Sequence, residues 1–350
     1  MSMRYKLLGR SGVRVSELAL GTMTFGTEWG FGVDRDESKK MFDLYAEAGG
    51  NFIDTANVYT QGTSERYVGE FIAPDRDHWV LATKYTGSQL GPSDPNMSGN
   101  NRKNMRQAVE ASLERLGTDY IDLLWVHAWD YTTRVDEVMR GLDDLVRAGK
   151  VLYVGISDTP AWVAAQANTM ADLKGWTPFT ALQLRYSLID RTAERDLLPM
   201  AREFDLAVTP WSVLAAGVLT GKYNRDNPPD VGRAKDKAAK VERNLEIAEA
   251  VIEVADEIGC TPSQVAISWV QQQSGVVVPL VGARNSEQLD ENLGALDVTL
   301  TDEQWDRLAE ASDFDLGFPH DMIGPRGRSE SFIYGECLGQ LDIHRGEMAD

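Results

Sequence analysis

The 350-residue sequence predicts an α/β fold, a (β/α)8 barrel, and three observations carry that prediction. Short apolar runs alternate eight times with longer amphipathic stretches, the rhythm of parallel strands joined by crossover helices. Ionisable residues stand at or just past the ends of successive runs: Asp54 and Tyr59, then Lys84, then His127. The rival doubly wound fold would need a Gly-x-Gly-x-x-Gly turn after an early strand, and Gly30-Phe-Gly32 continues as Val-Asp-Arg instead.

Each element has its own signal. Residues 5–15 read as two short strands around an Arg-Ser-Gly turn, an N-terminal β-hairpin outside the main sheet. The first barrel strand is expected at Ala19–Met23, followed by a Gly-rich loop through Trp29 and Gly32. Asp36–Ala48 has helical spacing at Met41, Leu44, Tyr45 and Ala48, and Gly49-Gly50 closes it. Further strands are expected at Phe52–Asp54, Trp79–Thr83, Ile121–Val126, Val151–Ile156, Thr180–Leu184, Leu206–Pro210 and Val276–Pro279. Helices fall between them, among them Arg102–Leu116 and Val135–Ala148. The polar, Pro-rich stretch 224–232 lies before the last strand, so it reads as an excursion within one domain spanning 1–350. The barrel core runs from about residue 4 to 311. The C-terminal extension, 312–350, has weak periodicity, leaving open whether it covers the barrel mouth, joins an oligomer contact or stays disordered.

Composition narrows the function. Thirty-five basic residues against fifty-four acidic ones give a net charge of −19, which repels nucleic acid and anionic membranes. The first ten residues lack the apolar core of a signal peptide and no run is long enough to span a bilayer, so a cytoplasmic protein is expected. Cys260 and Cys337 stand far apart without Cys/His clustering, so neither a disulfide framework nor a metal site is expected. Gly217-Val-Leu-Thr-Gly-Lys222 is one residue short of a P-loop and is followed by Tyr223, so no nucleotide triphosphate site is expected there.

A barrel brings neighbouring strand ends together, so Asp54, Tyr59, Lys84 and His127 can converge. A lysine cation beside a phenol should lower the phenol's pKa, and a carboxylate should hold that lysine protonated. Tyr59 would then act as a general acid toward a carbonyl oxygen, with His127 donating a hydrogen bond to the same oxygen. Any one of the four alone reads equally well as a capping, packed or solvated residue. Together and in strand order they read as a site.

The stretch Gly49-Gly-Asn-Phe-Ile-Asp-Thr-Ala-Asn-Val-Tyr59, followed by Gly62-Thr-Ser-Glu65, resembles the signature of the aldo-keto reductases. So do Leu81-Ala-Thr-Lys84, Asp122-Leu-Leu-Trp-Val-His127 and Tyr153-Val-Gly-Ile-Ser157, in family order and at family spacing. The resemblance implies a TIM barrel that binds extended NADP(H), with NADH use left open, and a hydride transfer in which Tyr59 supplies the proton. It implies that Ser157 and Gln183, with Asp158 beside them, meet the carboxamide and that Trp211 stacks on the nicotinamide. Thr22, Met23, Ser212, Leu214 and Lys222 match positions around the ribose and pyrophosphate. Arg284 and Gln288 would meet the 2′-phosphate and Asn292 the adenine, with Gly282 and Glu291 alongside and Arg233 as a further phosphate contact.

Position 158 is aspartate, where many members have asparagine or arginine. Trp29, Trp125 and Trp129 are expected at the mouth, favouring partly apolar or flat substrates. The segment from Trp211 to Tyr223 resembles a branch holding bacterial aldehyde reductases, sugar-related dehydrogenases and potassium-channel β subunits. Three functions follow: a reductase of aldehydes or ketones, an NAD(P)-dependent dehydrogenase of sugars or secondary alcohols, or a nucleotide-bound regulatory subunit. The partner is a small carbonyl or alcohol compound, and monomer or homo-oligomer stays open.

Overall fold

Eight parallel strands pair in the order β10-β3-β4-β5-β6-β7-β8-β9 in the computed structural model, which describes residues 3–88, 94–223, 242–323 and 333–340. They are β3 (Ala19–Gly21), β4 (Phe52–Asp54), β5 (Val80–Tyr85), β6 (Ile121–Val126), β7 (Val151–Ser157), β8 (Phe179–Arg185), β9 (Ala207–Trp211) and β10 (Leu280–Val281). A separate antiparallel hairpin, β1 (Tyr5–Leu7) and β2 (Arg14–Ser16), precedes them. The strands and hairpin match the sequence expectation except at the last strand. Val276–Pro279 was expected there, whereas regular pairing with β3 begins only at Leu280. Pro279 is the reason: it has no N–H for a ladder, so it splits the segment in two. Before the proline, Val276 and Val278 bond Val208 of β9 at 2.7 and 2.8 Å and close the seam of the barrel.

Alternation along each strand sorts side chains between two apolar regions. Leu20, Ile53, Leu81, Leu124 and Leu182 face outward and pack under the helices. Ala19, Phe52, Val80, Ala82, Leu123, Trp125, Ala181, Ala207 and Val278 fill the interior, where Leu8 and Val15 of the hairpin region join them. The hairpin therefore plugs the end of the barrel where the strands begin. Gly9, φ 55°, makes this possible, because a Cβ there would lie 2.3 Å from the Thr180 carbonyl oxygen.

The helices begin where their caps allow. Asp34 accepts from the Glu37 N–H at 3.0 Å to open α1 (Arg35–Glu47), and Asn101 accepts from Asn104 at 2.9 Å ahead of α3 (Arg102–Leu116). After α10 (Asp302–Ala311), the chain stays against the barrel through Arg191, which donates to the Ser312 hydroxyl, and through Arg195 and Arg243, which donate to the carbonyls of Asp315 and Ser312.

Trp125 corrects an expectation. It was placed at the mouth, but it is fully buried in the barrel interior, one residue below the strand end. Its ring lies over Gly155 of β7, where an added Cβ would come within 2.4 Å of two ring carbons. A closed barrel gives that ring nowhere to go. Gly155→Ala should therefore cost about 1–3 kcal/mol by overpacking. Urea unfolding checks this, and an unchanged midpoint would mean the interior is looser than described.

Candidate active site

Inward positions at the strand ends carry the polar residues. Asp54 ends β4, and its carboxylate accepts from the Lys84 ammonium of β5 and from Gln183 Nε2 of β8 at 3.0 Å. Lys84 is fully buried and gives its remaining protons to the Thr55 carbonyl at 2.7 Å and the Tyr59 hydroxyl at 3.1 Å. All three ammonium donors are thus satisfied, as a buried charge requires.

Tyr59 is aimed by the turn after β4. Thr60 and Gln61 have φ of 44° and 57°, a left-handed pair that reverses the chain before α2 (Thr63–Ile72). Thr60 is β-branched, so this conformation is costly, and its hydroxyl bond to the Phe25 carbonyl at 2.5 Å helps hold it. His127 follows β6 and meets Tyr59 edge to face, ring centroids 6.0 Å apart. Trp29 packs against the phenol from another side, centroids 6.1 Å apart, and is partly exposed.

Burial dominates the electrostatics. It pulls the His127 pKa down to about 3, helped by the Lys84 cation, so the imidazole is neutral and keeps one N–H to donate. Burial also works against the charged form of Lys84, but Asp54 and then Tyr59 outweigh it and raise the lysine's pKa. The phenol differs from the sequence expectation: its pKa is raised, not lowered. Desolvation is the larger effect, Lys84 opposes it, and the charge of Asp54 offsets part of what Lys84 supplies.

The other residues divide into two groups. Ser157 and Gln183 pair across β7 and β8, and the Ser157 hydroxyl is buried without a hydrogen-bond partner among the described residues. Trp211, at the end of β9, donates its indole N–H to Asp158 Oδ1 at 3.1 Å. Asp158, Gln183 and Trp211 line one side of a cavity of about 520 Å³ that also reaches Arg185, Asp190 and Asp196. Tyr59 is not in its wall. Thr22 is buried, and its hydroxyl serves Ser64 and the Asp54 carbonyl within the protein. Met23, Ser212 and Leu214 are half-buried and Lys222 is exposed.

The second group surrounds the start of α9 (Ser286–Leu293), which Asn285 caps. Gly282, Arg284, Gln288 and Glu291 are exposed, and Arg284 forms no ion pair among the described residues. Gln288 accepts from the Arg284 backbone N–H at 3.1 Å, and buried Asn292 reaches the Gly282 carbonyl at 3.5 Å. Arg233 and the 224–232 excursion lie outside the described residues. Trp129 sits half-buried beyond β6, its N–H on the Asp158 carbonyl.

Sequence reading missed the Thr55 carbonyl as the third acceptor for Lys84, because a backbone acceptor leaves no mark in residue type. It also missed Arg185, which pairs with Asp190 at 2.6 Å and lies 5.9 Å from the Trp211 ring. The signal available was its place two residues after Gln183, at the end of β8.

The sequence pattern of the Aldo/keto reductase family matches residues 17–313, and this chain belongs to that family of oxidoreductases. It is 42% identical over 328 residues to a norsolorinic acid reductase of Aspergillus flavus, covering 91% of this chain and 83% of that one. It is 40% identical over 351 residues to an aryl-alcohol dehydrogenase [NADP(+)] of Phanerodontia chrysosporium, covering 95% and 91%. An aryl-alcohol dehydrogenase of Pestalotiopsis microspora is 38% identical over 331 residues, covering 92% and 85%. The family generally binds a nicotinamide cofactor. Among the described residues no helix is long and apolar enough to cross a membrane, and no His, Cys, Asp and Glu cluster is arranged to hold a metal ion.

The buried pair makes a stability prediction. Lys84→Met strands the Asp54 charge and should cost about 3–5 kcal/mol, whereas adding Asp54→Asn should recover part of the loss. Since the lysine's pKa is raised, the lysine's share of this stability is fully present below its unfolded value and is lost as pH rises through the raised one. Denaturant titration of the single and double variants checks both, and a double variant no better than the single would contradict the argument.

Proposed function

We propose that this protein is an NADP(H)-dependent oxidoreductase that reduces aryl or other flat aldehydes and ketones, with Tyr59 as general acid. The observation that carries the reading is the fully buried Lys84 bonded at once to Asp54, the Thr55 carbonyl and the Tyr59 hydroxyl.

The residues suit a nicotinamide. Ser157 offers a buried hydroxyl in need of a partner, beside an amide at Gln183 and a half-buried indole at Trp211. These three would hold the carboxamide and cover the ring, while Thr22, Met23, Ser212, Leu214 and Lys222 would follow the ribose and pyrophosphate. Arg284 and Gln288, at the mouth of α9, would take the 2′-phosphate, where a free guanidinium and a helix N-terminus both favour an anion. Asn292 would face the adenine, with Gly282 and Glu291 nearby. The bound cofactor would supply the hydride to the carbonyl carbon.

The protein's own groups then handle the oxygen. Tyr59 and the neutral His127 would both donate to one carbonyl oxygen, and the phenol would release its proton as negative charge grows there. Lys84 stabilises the phenolate that remains, and Asp54 keeps the ammonium from leaving. Burial keeps the phenol protonated before reaction, and Lys84 opposes the burial by favouring the phenolate that forms as the proton leaves. Trp29 supplies an aromatic wall against Tyr59, and Trp129 adds apolar surface near the Asp158 backbone. The names of two relatives, both aryl-alcohol dehydrogenases, support an aryl substrate, and that of a third, a norsolorinic acid reductase, supports the reducing direction. The dehydrogenase names also favour a second reading, oxidation of aryl alcohols by the same residues in reverse.

The test is loss of NADPH absorbance with a panel of aryl aldehydes, ketones and sugars. Tyr59→Phe should lower kcat on the order of 10²-fold or more with NADPH affinity retained. Turnover that survives would remove Tyr59 as the acid. No turnover of any compound, with NADPH still bound, would favour the regulatory reading. Arg284→Ala should weaken NADPH at least about tenfold and leave NADH nearly unchanged, as expected for one charge-assisted phosphate contact. Equal weakening of both would contradict the 2′-phosphate assignment.

A further inference from the structure

Asp158 stands out among the residues around the proposed nicotinamide site because its carboxylate has no ion-pair partner among the described residues. The backbone of Asp158 has φ 41°, and its N–H donates to the Gln183 carbonyl at 3.2 Å while its own carbonyl accepts from Trp129 at 3.4 Å. One carboxylate oxygen accepts from the Trp211 indole at 3.1 Å, and the residue is exposed to the cavity that Gln183 and Trp211 also line. An asparagine could accept the same indole hydrogen bond and would tolerate the same left-handed backbone. The carboxylate adds only one thing, a negative charge.

The neighbouring charges cancel in pairs. Lys84 is in contact with Asp54, and Arg185 is paired with Asp190. Asp158 forms no ion pair among the described residues, and the two cations whose charge reaches it, Lys84 and Arg185, are each already paired with another carboxylate. A nicotinamide ring is neutral when reduced and cationic when oxidised, so a nearby carboxylate discriminates between the two forms. Bound cofactor displaces the water that would screen this charge, which strengthens the effect.

We propose that Asp158 sets the redox balance of the bound nicotinamide: held on the Trp211 indole, its carboxylate favours the oxidised, cationic cofactor over the reduced one. It thereby works in the direction of carbonyl reduction, since it favours the charge gained when hydride is given up, and it slows release of the oxidised product. This rests on the nicotinamide reading of the site given above.

The test compares dissociation constants of NADP+ and NADPH, by tryptophan fluorescence, for wild type, Asp158→Asn and Asp158→Ala. In Asp158→Asn the ratio of the NADP+ constant to the NADPH constant should rise about tenfold, through weaker NADP+ binding with NADPH nearly unchanged. Asp158→Ala should show the same change in ratio and, having also lost the indole bond, weaker binding of both forms. Equal weakening in Asp158→Asn, or a ratio that moves less than about twofold, would reduce Asp158 to a positioning residue for Trp211 and overturn the proposal. Failure of the wild type to bind either nucleotide would overturn the nicotinamide reading and this proposal together.

Discussion

A buried ammonium has to be solvated by the protein, and the active end of this barrel is arranged to do that for Lys84. Its three donors go to a carboxylate, a backbone carbonyl and a phenol, and each acceptor comes from the segment that leaves β4. Two neighbouring strands are therefore tied by one side chain at the depth where solvent ends. The tie also fixes the chemistry. Burial is the main reason the phenol stays a protonated donor, and Asp54 adds to it by offsetting part of the Lys84 cation's pull toward a phenolate.

Around that tie, the rim is built from conformations that most residues avoid. Thr60, Gln61, Asp158, Ser212, Ala215 and Ala216 all have positive φ, and all lie in loops beyond the strand ends. Such residues cost on the order of 1–3 kcal/mol each and persist only where the surroundings dictate them. Here the surroundings are the closed strand ladder and the packed interior below it, with Trp125 and Phe52 filling the space that a looser barrel would leave to water. Rigid strands make strained loops affordable, and the strained loops aim Tyr59, Asp158 and the stretch after Trp211.

Much of this was legible in the sequence. The eight apolar runs are separated by helices whose stop signals are local, so Gly49-Gly50 marks the end of α1 without knowledge of neighbours. The motif around Asp54, Lys84 and His127 was legible because strand-end chemistry keeps a fixed place relative to each apolar run. The place of Trp125 was not. Trp125 and Trp129 are four residues apart, and only the inward or outward sense of β6 at its end separates a buried interior ring from one at the mouth. The last strand was misjudged by a few residues because Pro279 lets one apolar segment serve two neighbours in turn.

By itself, then, the sequence determined the fold class, the order of its strands and which residue types stand at their ends, because propensity, capping and apolar period are properties of short stretches. Only the tertiary structure decided the charge states and pairings. Whether Lys84 lowers the pKa of Tyr59 depends on how much water burial removes and on Asp54 sharing the same cation. Likewise, Asp158 acquired its partner Trp211 from a strand 53 residues further on. Those are distances between segments far apart in the chain, set when the barrel closes.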